Sequence, residues 1–291
     1  MTNKNKYMIT HERKHQIAEE LQAYADAKGS QNKAANSLNG VSSGTISQVL
    51  NHNWELINDA MWNKIARQIK ANTNGWQFAN TGTAQTLTFY LENAKNKSMV
   101  MAITAAAGTG KTSTTKIYSR ENDNVYHLNC NEYWDRKWFL QELLKTMGKD
   151  PAGMNMPTMM ERAVTELQKV EQPQIILDEA DKLRDQVLYF FITLYNRLED
   201  NCSIILMATH HLQKRIERGL SLNKRGYAEI YSRLGKRFVE AEPITLKDVV
   251  MICGLNGVTD NATIKEIWQD CDGDVRRVKR LVQAERIAEG E

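Results

Sequence analysis

The chain has no apolar run approaching the roughly 18 residues that a membrane span requires, so no membrane partner is expected. No apolar signal core follows Met1-Thr2-Asn3-Lys4-Asn5-Lys6, so no secretory leader is expected in this stretch. Cysteine is scarce. Cys130, Cys202, Cys253 and Cys271 match neither metal-ligand spacing nor a disulfide framework, and a reduced, cytoplasmic setting is the expectation. A strong excess of one charge is also missing, since the net charge is only +3 over 291 residues. With 42% hydrophobic and 25% charged residues, the composition is that of an ordinary globular chain with room for two domains and a sizeable core.

What charge there is stands unevenly. Residues 1 to 82 hold nine Lys/Arg against six Asp/Glu, and the remainder balances at 29 against 29. Inside that balanced remainder, Lys214, Arg215, Arg218, Lys224, Arg225, Arg233, Lys236 and Arg237 face only Glu217 and Glu229 between positions 211 and 237.

The apolar run Met99-Val100-Met101-Ala102-Ile103 leads into Ala105-Ala106-Ala107-Gly108-Thr109-Gly110-Lys111-Thr112. The order strand, glycine loop and helix start is a phosphate-binding P-loop: backbone N–H groups turn inward, the helix adds the positive end of its dipole, and Lys111 adds a full charge. Ala105 replaces the first glycine of G-x-x-x-x-G-K-[ST], a slot that tolerates a small residue. Ala107, Gly108, Thr109, Gly110, Lys111, Thr112 and Ser113 are the expected nucleotide contacts, with the Thr112 hydroxyl on Mg²⁺. The second half of the site is Gln174-Ile175-Ile176-Leu177-Asp178-Glu179, an apolar β-branched run ending in two acids, as in a buried parallel strand with carboxylates at its C-terminal end. Asp178 is expected to hold Mg²⁺ through water and Glu179 to polarise the attacking water of an ATPase, because phosphoryl transfer needs positioning and charge neutralisation above all.

Ahead of the P-loop, His11 to Lys28 carries Ile17, Leu21 and Tyr24 at helical spacing, and Gly29-Ser30 stops one helix and caps the next. Short helices follow over Gln31 to Leu38, Ser43 to Asn51 and Asp59 to Lys70. The middle pair has the layout of a helix-turn-helix, with small Ala34 and Ala35 at the crossing, a turn at Gly40, Val41 and Ile46 inward, and Ser43, Thr45, Ser47 and Gln48 outward. It resembles the lambda-repressor-like family, which implies a DNA-binding domain over residues 1 to 70 in which those four side chains touch phosphates or base edges. The alternative is a helical bundle for protein contacts. The uncharged stretch 71 to 84 reads as a linker.

Past the linker, a short helix from Thr86, the P-loop strand, and strands at Val125 to Leu128, Gln174 to Glu179, Ser203 to Ala208 and Phe238 to Ala241 alternate with helices. The sheet is therefore expected to be mainly parallel with helices on both faces, over 85 to 243. An all-helical tail, 244 to 291, reads as a lid with helices at Leu246 to Cys253, Ala262 to Cys271 and Val275 to Ala288.

Three further features, in this order, narrow the class. Thr209-His210 ends the Ser203 strand, where a polar side chain reaches a γ-phosphate, and either residue fits. Tyr231-Ser232-Arg233-Leu234-Gly235-Lys236-Arg237-Phe238 precedes the last strand, and Gly273-Asp274-Val275-Arg276-Arg277 matches G-x-x-R in the lid. This series resembles the AAA+ ATPases. The resemblance implies a sensor at Thr209 or His210, an arginine finger at Arg233 or else Arg237 acting on a neighbouring subunit's ATP, and Arg276 closing on the γ-phosphate.

With the N-terminal helices, the whole order looks like the MuB family of transposition target-selection ATPases, related to the TnsC and IstB proteins. That resemblance implies a bacterial or phage protein that assembles as a ring or filament on double-stranded DNA with ATP and Mg²⁺ bound, recruits a transposase, and disassembles on hydrolysis. Lys214, Arg215, Arg218, Lys224 and Arg225 are then the expected sequence-independent DNA contacts, against the plainer reading of a solvated basic face. A nucleotide-switched transcription regulator and a helicase loader are the other readings.

Overall fold

A computed structural model describes residue 9, residues 11–73 and residues 76–288 of the chain. The polar tail 1–6, Asn74 and Gly75 of the uncharged stretch, and 289–291 of the helical tail lie outside the described residues. The chain divides into two compact units, Met1–Phe78 and Ala79–Glu291.

The first unit is all-α: α1 (His11–Lys28), α2 (Gln31–Ser37), α3 (Ser43–Leu50) and α4 (Asp59–Thr73), with a 3-10 turn at Trp54–Leu56. Ser30 caps α2 by accepting from the Lys33 amide, and Ser42 caps α3 by accepting from the Thr45 amide. Ile17, Leu21, Ala34, Ile46, Val49, Trp62, Ile65 and Ile69 form its core. Ala34 and Ala35 are buried where α1, α2 and α3 meet, and small side chains let these helices approach closely. Gly40, between α2 and α3, has φ 63° and its carbonyl accepts from Lys64 Nζ at 3.1 Å.

The second unit is built on five parallel strands: β1 (Val100–Thr104), β2 (Val125–Asn129), β3 (Gln174–Asp178), β4 (Ser203–Ala208) and β5 (Phe238–Glu240). Their order is β2-β3-β4-β1-β5, so the two chemistry-bearing strands, β1 and β3, flank β4. Every residue of β3 and β4 is buried, as strands covered by helices on both faces must be. The surrounding helices are α5 (Gly82–Asn96), α6 (Lys111–Glu121), α7 (Arg136–Thr146), α8 (Met156–Gln168), α9 (Asp185–Leu198), α10 (His210–Ser221) and α11 (Tyr227–Arg233), followed by α12 (Leu246–Leu255), α13 (Asn261–Cys271) and α14 (Val275–Ala288). Leu140, Leu177, Leu188, Leu206 and Ile216 belong to the core on one side of the sheet, and Leu87, Leu91, Ile103, Ile176 and Met207 to the core on the other.

One expectation is corrected. Helix α5 begins at Gly82, not near Thr86, because Thr81 accepts from the Ala84 amide and caps it; the last residues of the uncharged stretch are its first turn. The basic stretch from 211 to 237 is mostly helical. α10 buries Leu212, Ile216 and Gly219 on one face, and Gly226, at φ 84°, starts α11.

Candidate functional site

The loop between β1 and α6 is shaped by Gly108 (φ 80°) and Gly110 (φ 91°), a backbone that only glycine adopts without strain. Gly110 is the residue before α6, so the loop runs straight into the helix N-terminus, where unpaired amides and the helix dipole favour an anion. Lys111, the first residue of α6, is buried and folds back so that its Nζ donates to the carbonyls of Ala105 at 2.8 Å and Ala106 at 2.6 Å. Burial lowers its pKa; the neighbouring carboxylates of Asp178 and Asp181 pull the other way.

Asp178 ends β3 and is wholly buried. Burial alone would raise its pKa, but hydrogen bonds with His127 and Thr112 outweigh that and hold the carboxyl below the usual range. His127 Nε2 stands 3.4 Å from Asp178 Oδ2 and 3.2 Å from Thr115 Oγ1, linking β2, β3 and α6 beneath the loop. The Glu179 amide donates to Asp178 Oδ1 at 2.9 Å, and Glu179 itself is held at φ 55°, left-handed and unusual for a glutamate. Its Oε2 lies 2.7 Å from Lys182 Nζ.

The end of β4 meets the same turn. Thr209 caps α10 and its hydroxyl donates to Asp181 Oδ2 at 2.8 Å, whereas His210 Nε2 stands 3.5 Å from Glu240 on β5. Of the two, Thr209 faces the carboxylates. The helical tail closes over the loop: the Val275 amide donates to Gly108 O at 2.9 Å, and the Asp274 carboxyl packs against Gly108 where a side chain would otherwise stand. Arg276 comes near enough that its charge lowers the pKa of Lys111.

The structure thus brings together Lys111, Thr112, Asp178, Glu179, Thr209 and Arg276, with Ala107, Gly108, Thr109, Gly110 and Ser113 as the loop and first turn. It does not bring Arg233 or Arg237 to them. Arg233 donates to Asn196 Oδ1 at 3.1 and 2.9 Å, with its guanidinium over the Tyr195 ring, while Arg237 is exposed.

The basic sector is divided. Lys214, Arg218, Lys224 and Arg225 are exposed and make no side-chain hydrogen bond or ion pair among the described residues. Arg215, also expected as a DNA contact, has partners of its own: it donates to Leu183 O at 2.6 Å and Tyr227 Oη at 3.2 Å and pairs with Asp185. Its donors are committed inside the unit. On α3, Ser43 is exposed, but Thr45, Ser47 and Gln48 are half-buried; the Thr45 and Ser42 hydroxyls share a bond at 2.9 Å, and Ser47 accepts from Asn51 at 3.0 Å. Three of the four therefore present less to solvent than the outward-facing pattern implies. His127, Asp181 and Lys182 were not singled out from the sequence. A histidine inside an otherwise apolar strand was the available signal for the first.

A donor set of loop amides, one buried ammonium and a helix start, beside a hydroxyl–carboxylate pair, fits a nucleotide triphosphate with a divalent cation. An AAA domain model matches residues 94–216. This is an AAA+ P-loop ATPase fold. The chain is 22% identical over 242 residues to the ATP-dependent target DNA activator B of Escherichia phage D108, and equally to that of Escherichia phage Mu; each alignment covers 79% of this chain and 75% of the relative. The resemblance to MuB-like AAA+ proteins is borne out. Among solved structures, that of the Aeropyrum pernix Orc1 protein in complex with DNA superposes with a TM-score of 0.55 at 18% identity, over 75% of this chain and 62% of that one. Among the described residues, no helix is long and apolar enough to cross a membrane.

Proposed function

We propose that the chain is an ATP-dependent, largely sequence-non-specific DNA-binding ATPase that assembles on duplex DNA as a ring or filament, delivers target DNA to a transposase, and leaves the DNA when ATP is hydrolysed. The observation that carries this reading is that one element serves both halves. Helix α10 is capped by Thr209, which is bonded to the Asp181 side chain, and carries the exposed cations Lys214 and Arg218 along its length. The relatives described as ATP-dependent target DNA activators support the same combination.

In this reading the loop amides of residues 107 to 113 and Lys111 hold the ATP phosphates, Lys111 exchanging its two carbonyl partners for phosphate oxygens. Thr112 and Asp178 would hold Mg²⁺, whose charge offsets that of the phosphates when it is bound. Glu179 takes a proton from water as the water oxygen attacks the γ-phosphorus, and the bond to the bridging oxygen breaks with its electron pair leaving on ADP. Thr209 orients this water, and Arg276 stabilises the transferring group. A finger from a neighbouring copy, Arg233 or else Arg237, completes the site; Arg233 would exchange its bonds to Asn196 for the phosphate. Lys214, Arg218, Lys224 and Arg225 meet phosphates, so binding is strongly salt-dependent.

The test is fluorescence anisotropy of a labelled random-sequence duplex with ATP, with ADP and without nucleotide, at two salt concentrations. Tight binding only with ATP, weakened by salt and indifferent to sequence, is expected. The α2–turn–α3 pair favours one other reading, a nucleotide-switched regulator, which predicts that residues 1 to 70 alone protect one discrete sequence.

A further inference from the structure

Glu179, as observed, is a blocked base. A carboxylate whose Oε2 lies 2.7 Å from an ammonium has its lone pair directed at Lys182, and this hydrogen bond raises the Lys182 pKa. Both residues sit on one tight turn, Asp178 to Leu183, that includes the left-handed Glu179 and the 3-10 turn Ala180–Lys182. Activating water requires this turn to shift so that Lys182 releases Glu179.

That turn is gripped from α10 at two points. The Thr209 hydroxyl holds the Asp181 side chain at 2.8 Å, and Arg215 Nη1 holds the carbonyls of Leu183 at 2.6 Å and Asp181 at 3.4 Å. The rest of the Arg215 guanidinium faces away from the turn, to Tyr227 Oη and Asp185 Oδ1. There it lines a cleft of about 480 Å³ between α10 and α11, with His211, Lys214, Arg218 and Lys224 on its walls and Asp185 as its one carboxylate. The floor is firm: the Tyr227 ring packs on Gly219 so closely that no Cβ fits.

We propose that this cleft is where a DNA phosphate acts on hydrolysis, and that Arg215 is the positioning residue that carries the signal to Glu179. This rests on the DNA-binding ATPase reading above. A phosphate drawn in by Lys214, Arg218 and Lys224 competes with Asp185 for the Arg215 fork, because guanidinium binds phosphate and carboxylate in the same paired geometry. Arg215 then yields its hold on Leu183, the turn relaxes, and Lys182 lets go of Glu179. ATP is thus hydrolysed slowly off DNA and faster on it.

The experiment measures kcat and KM for ATP, with and without random-sequence duplex DNA, for the full chain and for Lys182→Gln and Arg215→Gln, with DNA affinity determined separately for each. In the unaltered protein DNA is expected to raise kcat and leave KM nearly unchanged. Lys182→Gln, a change at a half-buried side chain bonded only to Glu179, should raise the DNA-free kcat by up to about fivefold, the range set by one surface ion pair, and shrink the DNA effect correspondingly. Arg215→Gln lacks the hold on the turn, so it should still bind DNA through the remaining cations yet show a raised DNA-free kcat and little further response to DNA. Should its thermal melt show that Arg215→Gln does not fold, Lys182→Gln decides alone. The coupling is overturned if DNA binds but kcat responds fully in a folded Arg215→Gln, or if Lys182→Gln keeps the DNA-free kcat and the DNA response of the unaltered protein. An unaltered protein that binds no DNA with ATP present overturns the underlying reading, and the coupling with it.

Discussion

The phosphate cradle and the basic sector of α10 and α11 belong to the same unit and are both rich in ionisable groups, yet they hold those groups in opposite ways. In the cradle Asp178 is wholly buried among His127, Thr112 and the Glu179 amide, and Lys111 is fixed on two carbonyls. In the basic sector Lys214, Arg218, Lys224 and Arg225 extend into solvent. The first arrangement is preorganised and weakly screened, as suits chemistry at fixed atoms. The second is an exposed, screened field, as suits attraction to a charged polymer of any sequence. Arg215 is the exception that joins them, since it lies in the basic stretch and is bonded like a residue of the cradle.

Changes in the cradle should therefore be nearly all-or-none, and changes in the sector graded. Glu179→Gln is expected to bind ATP and assemble on DNA while turnover falls about 10²- to 10⁴-fold, the range for loss of a general base; single-turnover hydrolysis measures it. Normal hydrolysis by that variant would remove Glu179 from the mechanism. Lys111→Ala should weaken ATP binding by about 10²-fold, from the loss of charge-assisted hydrogen bonds to phosphate, and abolish ATP-dependent assembly with it; titration with a fluorescent ATP analogue reads the first effect and sedimentation the second.

The sector divides on mutation as it does in the structure. Lys224→Ala with Arg225→Ala should leave the thermal midpoint in place and flatten the plot of log affinity for DNA against log salt by about 0.9 for each phosphate that is no longer neutralised. An unchanged slope would mean that these two cations form a solvated face. Gly219→Ala does the reverse: its methyl group meets the Tyr227 ring, and the overpacking should cost about 1–3 kcal/mol of stability in a denaturant titration.

The cradle was legible in the sequence because its geometry is written in local spacing. Gly108, Gly110, Lys111 and Thr112 form one turn, so their geometry follows from their order, and Asp178 needed only an apolar strand to carry it there. The parallel sheet was equally legible, since an apolar run such as Ile175-Ile176-Leu177 has few other places to go. The division of the basic sector was not. Whether an arginine faces solvent or a carbonyl depends on what the fold sets opposite it, and Leu183, Asp185 and Tyr227 reach Arg215 from 12 to 32 residues away in sequence. The helices α10 and α11 were hidden for a related reason: charge dominates the stretch and masks the apolar face of Leu212, Ile216 and Ile230. On α3, Thr45 and Ser47 share their hydroxyls with Ser42 and Asn51, a short-range preference that outward-facing periodicity ignores.

The central claim is that ATP in the cradle controls assembly on DNA, and negative-stain electron microscopy of the protein with random duplex DNA tests it most directly, with and without a slowly hydrolysed ATP analogue. The account predicts filaments or stacked rings along the duplex only when nucleotide and DNA are both present. Discrete particles at one position on the DNA, or the same particles with and without the analogue, would contradict it.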